Sequence, residues 1–212
     1  GVAAHCFSPD TNQGVDPCEA ANLPLGTPVQ IQNAAQPGEL AYSSWQAMQE
    51  VGESAGSAAC THNDFALVKL SPDALANIPP ATIAFGGPTA LASQLASEGE
   101  AVFVYGQSPF HFGVRELEAM NGSVIGIAPE GWAYDVLTDT PAISGDSGGP
   151  VLDSQGRALA VTSALSVSLS LTPVRNSVTN LARALRYAKD NGFIHQDVQL
   201  MTWAELDPSG GL

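Results

Sequence analysis

Residues 145–150 read Gly-Asp-Ser-Gly-Gly-Pro and enclose one hydroxyl, that of Ser147. A serine hydroxyl is a weak nucleophile near neutral pH. To attack a carbonyl it needs a base within hydrogen-bond reach and an acid that orients the base. It also needs N–H donors aimed at the oxygen on which negative charge develops. Gly145 has no Cβ, so the backbone can turn sharply there and present its N–H beside that of Ser147. Gly148 and Gly149 admit a neighbouring chain close to the loop, and Pro150 leads into the apolar pair Val151-Leu152.

The base has to come from four histidines: His5, His62, His111 and His195. His5 lies in Val-Ala-Ala-His-Cys, a run of small apolar residues that would partly bury an imidazole. The other three read as surface or structural residues, His111 in a loop and His195 beyond a helix. An orienting acid is best placed where it leads into a buried strand, desolvated and held by the backbone. Asp64, immediately before the apolar run Phe65–Val68, stands in such a place, whereas Asp73 in Ser-Pro-Asp-Ala-Leu reads as a cap.

The elements that must bring these groups together are mostly strands. Turn-forming clusters recur at short intervals, among them Gln-Pro-Gly at 36–38 and Asn-Gly-Ser at 121–123. Between them lie short apolar or alternating runs at 27–32, 65–70, 101–106, 123–128 and 158–165, the pattern of an antiparallel barrel or sandwich. The pattern changes near the end. Val178, Leu181, Leu185 and Ala188 fall at helical spacing, with Arg183, Arg186 and Lys189 toward the C-terminal part, where cations favour the helix dipole. Thr179 or Asn180 can cap this helix, and Asn191-Gly192 ends it. The segment 41–53 suits a strand and a helix equally well.

Composition narrows the class of function. In 212 residues, 44% are hydrophobic and 13% charged, which describes a core-forming globular chain. Acidic residues outnumber basic ones 21 to 7, a formal charge of -14, and no Lys/Arg cluster exists that could track phosphates, so nucleic acid is not an expected partner. No apolar run reaches the length of a membrane span, and the opening Gly-Val-Ala-Ala-His-Cys-Phe-Ser-Pro lacks the basic and apolar parts of a signal peptide. The cysteines Cys6, Cys18 and Cys60 leave one unpaired in any disulfide scheme within the chain. In an exported protein that implies a partner elsewhere; three buried thiols in a reducing compartment is the other reading. Asp10, Asn12 and Asp16 lack the full set of oxygen ligands of a calcium loop and read as a turn, so no metal or other cofactor is expected.

Ala-Ala-His-Cys (3–6), Asn-Asp-Phe-Ala-Leu-Val-Lys-Leu (63–70) and Gly-Asp-Ser-Gly-Gly-Pro, in that order, resemble the three signature segments of the trypsin/chymotrypsin-type serine peptidases. The phrases at 22–29 and 180–188 are similar to secreted actinobacterial members in particular. The resemblance implies an all-β fold of two six-stranded antiparallel barrels with a C-terminal helix, in one domain with lobes at 1–85 and 86–175 and a tail at 176–212. It implies that Ser147 is the nucleophile, His5 the base and Asp64 its orienting acid, with Gly145 and Ser147 forming the oxyanion hole. Asp146 becomes a buried structural carboxylate, and Ser163 a supporting serine near Asp64 and the substrate backbone. The wall of the primary pocket becomes Pro141, Ala142, Ile143 and Ser144, opposite Ser163, Ala164 and Leu165. No carboxylate stands at the pocket base, Asp139 lying outside it, so the expected side chain there is uncharged and small to medium.

Two departures from the family pattern carry expectations of their own. The chain opens four residues before His5, so the first barrel is expected to be incomplete and its N-terminal strands missing. Cys18 and Cys60 are then expected to pair, leaving Cys6 without the partner carried by the missing segment. The family's activating N-terminal Ile-Val-Gly-Gly is also absent, so Asp146 must find donors other than a terminal amine. The implied function is a secreted serine endopeptidase acting on protein or peptide substrates. Its rivals are a catalytically silent binding or adhesion protein of the same fold and an esterase of the same fold. An α/β-hydrolase is disfavoured, because no helix is expected after Ser147 and the histidine precedes the serine.

Overall fold

A computed structural model describes residues 1–10, 14–77, 86–111, 119–166 and 174–206. In chain order the elements are β1 (Pro28–Val29), β2 (Gly38–Ser43), α1 (Ser44–Val51), α2 (Ala58–His62), β3 (Ala66–Lys69), α3 (Pro72–Asn77), β4 (Ala101–Val104), β5 (Met120–Ile127), β6 (Ala133–Thr138), β7 (Pro150–Asp153), β8 (Ala158–Ser166), β9 (Arg175–Asn180), α4 (Leu181–Asp190) and α5 (Trp203–Leu206). A 3-10 turn at Ala4–Phe7 precedes them.

The strands form two antiparallel units. In the first half β1, β2 and β3 make a three-stranded sheet, with Glu39 opposite Lys69 and Ser43 opposite Ala66. In the second half six strands close into a barrel in the order β4-β5-β6-β9-β8-β7. This is the trypsin-like fold with one closed barrel and a partial first one. Asn121-Gly122-Ser123, read from composition as a turn, lies inside β5, where cross-strand pairing to Leu137 and Thr138 overrides the local preference.

Alternation along the strands sends every second side chain inward. Val102, Val104, Val124, Val136, Val151, Leu159 and Val178 fill the barrel. Ala4, Phe7, Leu40, Trp45, Met48 and Cys60 fill the first half. Between the halves, Leu181, Ala184, Leu185 and Ala188 of α4 pack on Tyr42, Phe65 and Val161, so the helix joins both units. Asn180 caps α4 by accepting from the N–H of Arg183. Val178 does not belong to the helix face expected of it. It lies in β9 with its side chain in the barrel, because the strand runs to the capping residue itself. The ambiguous segment 41–53 resolves into both elements, β2 passing directly into α1 at Ser43-Ser44.

Candidate active site

The 3-10 turn repeats every three residues, so burying Ala4 and Phe7 in the first-half core turns His5 toward the cleft between the halves. Asp64 stands between α2 and β3, and its neighbours are gripped from both sides. Ser44 Oγ donates to the carbonyl of Asn63 and accepts from the N–H of Phe65 (2.6 and 3.0 Å). The disulfide Cys18–Cys60, with Cα atoms 5.5 Å apart, anchors α2 to the loop before β1. Cys6 is exposed and free.

Across the cleft, Ser147 sits in the loop between β6 and β7. Gly148 donates its N–H to Thr162 O, and Thr162 returns a bond to Gly149 O, so the loop is laced to β8. The positive φ of Gly148 and its contact with Val2 and Ala3 leave no room for a side chain: a Cβ there would lie 2.8 Å from the Ala3 nitrogen. The glycine thus lets the segment before His5 reach the Ser147 loop.

Three side chains meet as a result. His5 Nδ1 lies 2.6 Å from Asp64 Oδ2, and His5 Nε2 lies 2.8 Å from Ser147 Oγ. The backbone N–H of His5 donates to Asp64 Oδ1 at 2.8 Å, which clasps the carboxylate against imidazole and main chain together. Burial alone would lower the pKa of His5. The hydrogen bond and charge of Asp64, with those of Cys6, outweigh burial and hold it up to about 10.

Gly145 has φ +100°, a conformation that favours glycine, and a Cβ on it would lie 3.0 Å from Ser108 Oγ. Among the described residues no partner occupies the N–H of Gly145 or of Ser147. Asp146, buried directly behind them, takes three hydrogen bonds. Ser108 N–H donates to Oδ1, while Ile143 N–H and His111 Nε2 reach Oδ2, each at 2.8 Å. His111 thus holds the Asp146 carboxylate from the side chain, as Ser108 and Ile143 hold it from the backbone.

The cleft has a volume of about 460 Å³. Ala142, Ile143, Ser144 and Ser163 line it; Pro141 does not, and the side chains of Ala164 and Leu165 lie outside the described residues. Asn176 and Ser177 of β9 line it too, and sequence reasoning had not placed them there. The Asn176 amide spans to Ala142, accepting from its N–H at 2.9 Å and donating to its carbonyl at 2.7 Å. Asp139 instead accepts from the N–H groups of Asn121 and Thr140. On the far wall stand Pro17, Trp45, Thr61 and His62; burial lowers the pKa of His62, opposed by the charge of Asp135.

Among the described residues Ser163 makes no hydrogen bond to Asp64. Its hydroxyl lies 2.7 Å from Thr179 Oγ1, and Thr179 is the residue that reaches the Asp64 backbone. Of the calcium trio, Asp10 accepts from Ala21 N–H, Asp16 accepts from Cys18 and Gly56, and Asn12 lies outside the described residues. His195 pairs with Asp197 on the surface.

A closed six-stranded barrel beside a smaller sheet, with serine, histidine and aspartate meeting at their junction, is the architecture of a trypsin-like protein. The model of the trypsin-like peptidase domain matches residues 3–161, and the chain belongs to that family. Among solved structures it is similar to protease A of Thermobifida fusca, at 19% identity and a TM-score of 0.50 over 88% of this chain and 79% of that one. It is also similar to a chymotrypsin of Cellulomonas bogoriensis, at 19% identity and a TM-score of 0.44 over 87% and 80% of the two chains. No curated protein matches the chain.

Proposed function

We propose that this protein is a serine endopeptidase in which Ser147, His5 and Asp64 form the catalytic triad. The observation that carries the reading is the imidazole of His5 bridging the other two, at 2.6 Å to the carboxylate and 2.8 Å to the hydroxyl. Ser147 Oγ attacks the scissile carbonyl while His5 Nε2 takes its proton. Asp64 holds the tautomer with hydrogen on Nδ1 and stabilises the imidazolium that forms. The N–H groups of Gly145 and Ser147 receive the oxyanion; His5 then protonates the leaving amine, and water repeats the sequence on the acyl-enzyme. The Asp146 carboxylate, already holding three donors, maintains the loop and moves no proton.

The primary pocket takes a small to medium uncharged side chain, since Ala142, Ile143, Ser144, Ser163, Asn176 and Ser177 bring no carboxylate to it. A disulfide in a chain this acidic suits an extracellular protein. Labelling with a fluorophosphonate tests the whole reading. An activated Ser147 is labelled covalently, with loss of the signal in Ser147→Ala and after denaturation. A folded protein that resists the probe and hydrolyses no peptide would sink it.

A further inference from the structure

Among the described residues the carboxylate of Asp64 has one partner residue. Both of its oxygens face donors of His5, and among the described residues no other group reaches them. A carboxylate held by a single residue depends also on its own backbone for its position. Ser44 grips that backbone, but Ser44 and Asp64 belong to the same half of the molecule and cannot set the distance to Ser147 in the other.

Thr179 can. It lies in β9 of the closed barrel and is fully buried. Its Oγ1 donates to the carbonyl of His62 at 2.9 Å and accepts from the N–H of Asp64 at 3.3 Å. A hydroxyl has one proton and two lone pairs. With the proton of Thr179 on His62 O, the 2.7 Å contact to Ser163 requires Ser163 to be the donor. The hydroxyl proton of Ser163 is then committed to Thr179 in preference to its 3.3 Å contact with Val161 O, and none remains for Asp64. The N–H of Thr179 donates to Ser163 Oγ at 3.0 Å and completes the unit. The branched Cβ restricts Thr179 to few rotamers, so Oγ1 is placed before it binds.

We propose that Thr179 is a positioning residue for the triad: its hydroxyl registers the His62–Asp64 backbone of the first half against the barrel that carries Ser147. The proposal rests on the peptidase reading above. Ser163 acts only through Thr179, as the donor that fills its second lone pair. The path from nucleophile to acid is then continuous: the Ser147 loop is laced to Thr162, β8 pairs with β9, and Thr179 holds Asp64.

The test compares Thr179→Val, Thr179→Ser and Ser163→Ala with the unmodified protein. Two measurements are made: kcat and KM on a peptide with alanine before the scissile bond, and the titration of the His5 ring by nitrogen NMR. Thr179→Val removes the hydroxyl at constant shape. It is expected to lower kcat by about tenfold, the equivalent of one lost hydrogen bond, at little change in KM. It is also expected to move the His5 midpoint downward as the Asp64 contact loosens. Thr179→Ser is expected to restore both, and Ser163→Ala to leave the His5 midpoint in place. Thr179→Ala removes the same hydroxyl where the valine variant does not fold. A His5 midpoint unmoved by loss of the Thr179 hydroxyl would overturn the proposal, as would one moved equally by Ser163→Ala. The titration needs no turnover, so a protein inactive on peptides would defeat the peptidase reading while still reporting on the clamp.

Discussion

His111 and Asp146 form a pair almost withdrawn from water: Nε2 lies 2.8 Å from Oδ2, with the carboxylate wholly buried. The pair sits directly under the proposed oxyanion hole, because Asp146 separates Gly145 from Ser147 in the chain. Removing the imidazole leaves a buried carboxylate on two backbone donors. Losing a hydrogen bond to such a carboxylate costs about 1.5–3 kcal/mol. His111→Ala is therefore expected to unfold at lower urea and to lose on the order of 100-fold in kcat/KM, the effect of a misplaced oxyanion donor. His111→Gln, which keeps an N–H donor, should recover part of both. Wild-type kinetics in His111→Ala would mean that the two backbone donors suffice.

The pH dependence follows from His5. Only the neutral ring can take the proton of Ser147, and its pKa is raised to about 10, Asp64 and Cys6 together overcoming burial. A raised pKa keeps the ring protonated to higher pH. The limb of kcat/KM that rises with pH should therefore lie above the ordinary histidine value of about 6.5. Asp64→Asn should move that limb down and lower kcat by about 10⁴-fold. For stability the same shift has the opposite consequence. The pair's contribution is complete below the unfolded-state value and is lost as pH rises through the folded one. Rate profiles and urea midpoints over the same pH series measure both.

Selectivity is read with chromogenic peptides differing only at the residue before the scissile bond. Alanyl and leucyl substrates are expected to exceed arginyl by at least about tenfold in kcat/KM, since among the described residues Ala142, Ile143, Ser144, Ser163, Asn176 and Ser177 offer a guanidinium no carboxylate. Asn176→Ala should open the pocket floor, where its amide now spans to Ala142, and raise the rate on larger side chains. Preference for arginine would contradict the assignment of the pocket lining.

The Cys18–Cys60 bridge closes a sequence separation of 42 residues. A loop of that length restricts the unfolded chain by roughly 4 kcal/mol. Replacing both cysteines with serine should lower the unfolding midpoint accordingly, and a reducing agent should do the same to the unmodified protein. Because the bridge holds α2, which ends at His62, kcat should fall before the fold is lost.

How much was legible in the sequence differs from residue to residue. Gly145 to Pro150 carries its own backbone chemistry, so a candidate nucleophile and oxyanion hole could be read from neighbouring residues. Asp64 before Phe65 and His5 among small residues were legible for the same reason: local burial is written in local hydrophobicity. The terminal helix was half legible. Leu181, Leu185 and Ala188 face the core as their spacing implies, but Val178 obeys the period of two of β9, and one apolar residue fits both periods.

The sequence by itself determined the class: which groups are candidates for chemistry, in what order they occur, and that strands would carry them. The partners of those groups were decided by the tertiary structure alone. Thr179 reaches Asp64 across 115 residues, His111 reaches Asp146 across 35, and Asn176 reaches Ala142 across 34. Each is a polar side chain whose need for a hydrogen bond is general. Which donor or acceptor meets that need depends on what closing the barrel and docking the first half against it place opposite. Thr179, one of two residues that the sequence offers as a helix cap, shows the physical reason: one hydroxyl suits a cap or a clamp equally, and only strand pairing chooses between them.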